Sequence, residues 1–91
     1  SISVITVFEI YNFYLKQSPD DADRVLDKIL SKCKIVPVTT EIARRGAPLK
    51  RKYKLSTADA LILATAIEEN ADFLTKDRDF ANVTEVKVHL L

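Results

Sequence analysis

The sequence predicts a small α/β fold in which helices pack on a parallel sheet, and three observations predict it. Helical and strand-like segments follow one another as helix, helix, strand, helix, helix, strand, strand. Strands separated by helices require crossover connections, which give parallel pairing. One helical segment, residues 60–67, is apolar except for Thr65 and therefore belongs in a core. The 91-residue chain is 47% hydrophobic and 30% charged with a single Gly, a composition far from disorder. A chain of this size buries about 60 to 65% of its unfolded surface, enough for one domain spanning 1–91. The sequence carries no repeat or linker.

Each element has its own signals. Residues 1–5 are rich in β-branched side chains and read as extended. Thr6 with Glu9 three positions on forms a capping-box signature for a helix reaching Gln17. Ser18 then caps a second helix, with Pro19 at its first position, Asp20 and Asp21 in its first turn, and an apolar stripe of Ala22, Val25, Leu26, Ile29, Leu30 and Cys33. Residues 35–38 suit a short buried strand that Pro37 confines to an edge. Thr39 or Thr40 caps a third helix, which Gly46 and Pro48 are expected to kink or split. Ser56 opens the fourth helix with Asp59 at the capping-box position. Residues 72–75 read as a strand, 76–80 as a polar turn, and the alternation of Val86, Val88 and Leu90 with Lys87 and His89 as a half-buried final strand.

Charge and cysteine content exclude several classes. Fourteen basic and thirteen acidic residues leave a net charge of +1, so the total gives no nucleic-acid signal. The distribution is uneven: no acid occurs between Glu41 and Asp59, a stretch holding Arg44, Arg45, Lys50, Arg51, Lys52 and Lys54. Such a run is equally well a solvated helix face or a guide for phosphates. Cys33 is the only cysteine, which excludes an intrachain disulfide and a cysteine-based zinc site and fits a reducing compartment, the cytoplasm by default. No apolar run is long enough to cross a bilayer, and no signal-peptide pattern opens the chain. The absence of Met implies that Ser1 is not an unprocessed natural start.

Asp59 is the only charged residue between Lys54 and Glu68, in a helix otherwise built for burial. A desolvated carboxylate needs backbone amides, a cation or a metal ion to replace its water. Helix capping satisfies that need without a ligand. Topology adds a second reading, since a helix leading directly into a strand runs antiparallel to it. The start of that helix then lies near the strand's carboxyl end, where Asp77 and Asp79 follow residues 72–75, and open α/β sheets bind ligands at this edge. Carboxylates converging there repel one another unless protons or a cation hold them. A donor set of oxygens without His or Cys points to Mg²⁺ or Mn²⁺. Read singly, Asp77 and Asp79 are equally an acidic turn, and Glu9 is explained by capping alone.

The segment S-T-A-D-A-L-I-L-A-T-A, followed by A-D-F-L-T-K-D-R-D-F, resembles the C-terminal half of PIN-domain ribonucleases, most closely VapC-type toxins. I-S-V-I-T-V-F-E-I resembles the family segment whose helix bears an acidic Glu. The resemblance implies a PIN-like three-layer fold and an acidic centre that binds Mg²⁺ or Mn²⁺ and cleaves RNA phosphodiesters. It places Glu9, Asp59 and Asp77 as the catalytic, metal-holding acids, Asp79 as an additional acid and Thr75 as a hydroxyl beside them. It also implies an antitoxin partner and a homodimer. The family normally begins with a hydrophobic strand ending in Asp, and none precedes Ser1, so this reading makes the N-terminal strand and its acid missing. A degenerate PIN-like module acting in protein interaction or dimerisation is the alternative that follows. A receiver-like switch domain also uses an acidic pocket, but wants its acidic pair near the N-terminus and a Lys on a late strand, neither of which is placed here. Tyr11, Phe13 and Tyr14 read as core or dimer packing, and His89 and Cys33 as structural.

Overall fold

The computed structural model describes residues Ser1–Leu91. They fall into two compact units, Ser1–Pro37 and Val38–Leu91.

The first unit contains β1 (Ile2–Ser3), α1 (Val4–Gln17), α2 (Pro19–Lys32) and β2 (Ile35–Val36). β1 and β2 pair in parallel, Ile2 against Ile35 and Ser3 against Val36, and the Ile2 amide donates to the Lys34 carbonyl at 2.9 Å. Helix α1 begins earlier than the Thr6 and Glu9 signature predicts. Ser3 leaves the strand in extended conformation and its Oγ accepts from the Ile5 amide at 3.1 Å, so the helix is capped before Thr6 is reached. Helix α2 starts at Pro19 as expected, with both early acids in its first turn. The Ser18 hydroxyl donates to Asp21 Oδ2 at 2.7 Å instead of accepting a backbone amide. The two helices are tied by the Tyr11 hydroxyl, which donates to Asp23 Oδ1 at 2.6 Å; that bond holds the phenol above its ordinary pKa. Ala22 and Val36 are buried, whereas α1 buries none of its residues.

The second unit contains α3 (Thr40–Tyr53), α4 (Thr57–Glu68), β3 (Phe73–Thr75), a 3₁₀ turn at Arg78–Phe80 and β4 (Val88–Leu90). β3 and β4 pair in parallel, with Phe73, Leu74 and Thr75 opposite Val88, His89 and Leu90. The parallel pairing expected from the element order is therefore present, divided between two two-stranded sheets. Thr39 caps α3, its Oγ1 accepting from the Ile42 amide at 3.2 Å.

Helix α3 is one continuous element of 14 residues, contrary to the kink expected at Gly46 and Pro48. Two features account for this. Pro48 lies with Arg44 and Ala47 on the exposed side, where water can serve the carbonyl that the imide nitrogen leaves without a donor. On the opposite side Ile42, Gly46 and Leu49 are buried, and α3 packs on α4 there. A Cβ at Gly46 would stand 3.3 Å from Leu61 Cδ2 and 3.5 Å from the Ala60 carbonyl oxygen, so the glycine permits close approach of the two helices. Leu55, Ala60, Leu63, Ala64, Phe80 and Val83 complete the core of this unit.

Candidate functional site

Asp59 occupies the first turn of α4. Ser56, extended at the N-cap, accepts the Asp59 amide on its Oγ at 3.1 Å. The return half of the capping box is absent: the Asp59 carboxylate has neither a hydrogen-bond partner nor an ion-pair partner, so capping does not consume it. Nor is Asp59 enclosed in apolar surroundings as the sequence pattern suggested. It is half-buried, and full burial in α4 begins at Ala60.

Asp77 lies two residues beyond the carboxyl end of β3 and forms the N-cap of the 3₁₀ turn. Its amide donates to Thr75 Oγ1 at 3.0 Å, and its Oδ1 accepts the Asp79 amide at 2.9 Å. Phe80 then anchors the turn. It is 3% exposed, and its ring lies 4.8 Å from that of Phe73, centroid to centroid. Its amide closes on the Asp77 carbonyl at 3.3 Å. Lys76, Asp77, Arg78 and Asp79 are thereby displayed to solvent on a fixed backbone. Lys76 and Arg78 are not marked by any motif; the alternation of sign along residues 76–79 is the signal the sequence offers for them.

The acids of the second unit divide cleanly. Glu41 meets Arg44 at 3.8 Å, Glu68 meets Arg45 at 2.7 Å, Asp72 lies 3.0 Å from His89 Nε2, and Glu85 meets Lys52 at 3.0 Å. Glu85 also accepts the Tyr53 hydroxyl at 2.5 Å, and that bond leads the causes that pull its pKa down to about 2. Glu69 is engaged as well. Asp59, Asp77 and Asp79 carry no cation. In the first unit, Glu9 is exposed in the second turn of α1 and, like Asp20 and Asp27, has no hydrogen-bond or ion-pair partner.

Neither unit gathers three acidic, histidine or cysteine side chains into a set that could enclose a metal ion. The available donors are carboxylate oxygens. That chemistry fits Mg²⁺ or Mn²⁺, since Mg²⁺ keeps several waters and is usually bound through one or two carboxylates together with phosphate oxygens. No helix is long and apolar enough to cross a membrane.

The family model for the PIN domain matches residues 1–86. Among solved structures, the chain is similar to one described as a toxin-antitoxin complex from Klebsiella pneumoniae. That match has a TM-score of 0.82 and 33% identity, and covers 94% of this chain and 70% of the other. It is also similar to VapBC2 from Rickettsia felis bound to a DNA fragment from their promoter, with a TM-score of 0.79, 21% identity, and coverage of 97% and 71%. No curated protein matches the sequence.

Proposed function

Since this chain belongs to the PIN-domain family, we propose that it is a metal-dependent endoribonuclease of the VapC toxin type, cleaving RNA phosphodiester bonds. The observation that carries the proposal is the selective lack of polar partners, the Asp79 amide on Asp77 apart, among the acids of Val38–Leu91. In Val38–Leu91, every carboxylate outside the candidate set is engaged, while Asp59, Asp77 and Asp79 are left without a counterion. Leaving salt bridges unmade at these positions keeps negative charge available for a divalent ion.

Asp59 and Asp77 would hold Mg²⁺ or Mn²⁺ as catalytic acids; the resemblance to the family adds Asp79 as a further acid and, on α1 of the first unit, Glu9 as a catalytic, metal-holding one. When bound, the ion supplies an activated water and neutralises charge developing on the phosphate. Asp77 is oriented for this role by the hydrogen bond its backbone amide donates to Thr75 Oγ1 and by the Asp79 amide that donates to its Oδ1. An antitoxin protein is the proposed partner and a homodimer the proposed assembly. Both are supported by α1, in which no residue is buried and Phe8 and Phe13 are 69% and 56% exposed. The cytoplasm is the proposed compartment.

The test is cleavage of single-stranded RNA with Mg²⁺ or Mn²⁺ by the wild type and by Asp59→Asn. Losing a direct ligand is expected to cost more than about 100-fold, beyond the range for outer-shell partners. Equal activity in the two proteins would sink the proposal. The second reading, a degenerate PIN-like module that only binds protein, is favoured by the absence of any three-ligand cluster. Calorimetric titration with Mn²⁺ separates the two, since such a module takes up the ion weakly or not at all.

A further inference from the structure

The cations of Val38–Leu91 divide into occupied and free. Four are occupied: Arg44 by Glu41, Arg45 by Glu68, Lys52 by Glu85, and Lys50, whose Nζ donates to the Leu55 carbonyl at 3.0 Å. Lys54, Lys76 and Arg78 are exposed and pair with nothing. Arg51 is also free, on the last turn of α3.

The positions of the free three are specific. Lys76 and Arg78 bracket Asp77 in sequence, within a segment of alternating sign where local ion pairs would be easy to form and none forms. The hydrogen bonds at Thr75 and Asp77 and the Phe80 anchor hold the backbone, so the charges stay apart. Lys54 stands between α3 and α4, five residues before Asp59, with φ 56° and ψ 44°. Glycine is the usual residue in that left-handed conformation, so a lysine there runs against local preference.

We propose that Lys54, Lys76 and Arg78 are positioning residues that hold the phosphates of an RNA strand on either side of the acidic centre. The inference rests on the nuclease reading above. Carboxylates alone repel a polyanion, and free cations set beside them supply the attraction that brings the backbone in without reading its sequence. Lys87 provides an internal control. It is also exposed and unpaired, but it precedes β4 and lies at the opposite, amino-terminal edge of the β3–β4 sheet.

The experiment is fluorescence anisotropy of a single-stranded oligoribonucleotide against salt, with EDTA present so that no metal supports cleavage. For Lys54→Gln/Lys76→Gln/Arg78→Gln, loss of three phosphate contacts lowers the magnitude of the log K against log salt slope by about 2. Lys87→Gln keeps the wild-type slope. In the cleavage assay the triple variant raises KM and leaves kcat near the wild-type value. An unchanged slope in the triple variant, an equal fall in Lys87→Gln, or no RNA binding by the wild type overturns the inference. If the slope falls as stated while Asp59→Asn cleaves like the wild type, the backbone contact stands and the metal-centre reading alone fails.

Discussion

The hydroxyl of Thr75 accepts the backbone amide of Asp77 at 3.0 Å, so the last residue of β3 sets the direction in which the following carboxylate leaves the sheet. Thr75→Val keeps the β-branched shape and removes the acceptor. A neutral hydrogen bond of this kind contributes about 1 kcal/mol. RNA cleavage is therefore expected to fall about 5-fold in Thr75→Val and to recover in Thr75→Ser. Unfolding midpoints of both variants, measured in urea, identify any loss that comes from stability alone.

At Gly46, α3 passes close to Leu61 and the Ala60 carbonyl of α4. A methyl group at Gly46 meets Leu61 Cδ2 at 3.3 Å, and the struck atom is the far end of a half-buried side chain that is able to move. Alanine also gains roughly 1 kcal/mol of helix propensity. Gly46→Ala is therefore expected to lie within about 1 kcal/mol of the wild type, whereas Gly46→Leu is expected to cost about 1–3 kcal/mol through overpacking against the Ala60 backbone. Urea unfolding of both variants checks the pair; a more stable Gly46→Leu would contradict the close-approach account.

Glu85 titrates at about 2 in the folded protein, against an ordinary value of 4.5, chiefly because it accepts the Tyr53 hydroxyl and also meets Lys52. A depressed carboxyl pKa stabilises the fold above the unfolded value, and the contribution disappears as pH falls from about 4.5 towards 2. The group borders solvent, so screening keeps the effect below about 1 kcal/mol. Wild-type stability should decline through that window more steeply than that of Glu85→Gln. Tyr53→Phe should flatten the decline partway. Parallel curves for wild type and Glu85→Gln would show that the contact contributes nothing.

Local chemistry made part of this fold legible. Ser18 followed by Pro19, and Ser56 followed by Asp59, mark helix starts through interactions that span a few residues, and both helices begin where those signals place them. The start of α1 was misread because two hydroxyls compete, and parallel pairing with β2 favours Ser3, already extended at the strand's end, over Thr6. The continuity of α3 depends on a neighbour far along the chain, since Gly46 is understood only against Leu61. The acids of the candidate site could be listed from spacing and resemblance. Their freedom from counterions could not, because the competing pairs form across long separations: Arg45 and Glu68 are 23 residues apart, and Lys52 and Glu85 are 33. Those two pairs, together with local contacts at Arg44 and Lys50, divide the basic stretch, which the sequence presents as one run, into occupied and available charges.

The ring contact between Phe73 and Phe80 has a consequence for the thermodynamics of any ligand that settles on residues 76–79. Fixing a mobile residue costs about 1–2 kcal/mol in backbone entropy, and here folding has already met that cost by burying Phe80 behind the charged residues. A ligand arriving at this turn therefore finds the backbone preorganised. Loosening the aromatic clamp would weaken binding through entropy while leaving every charge in place.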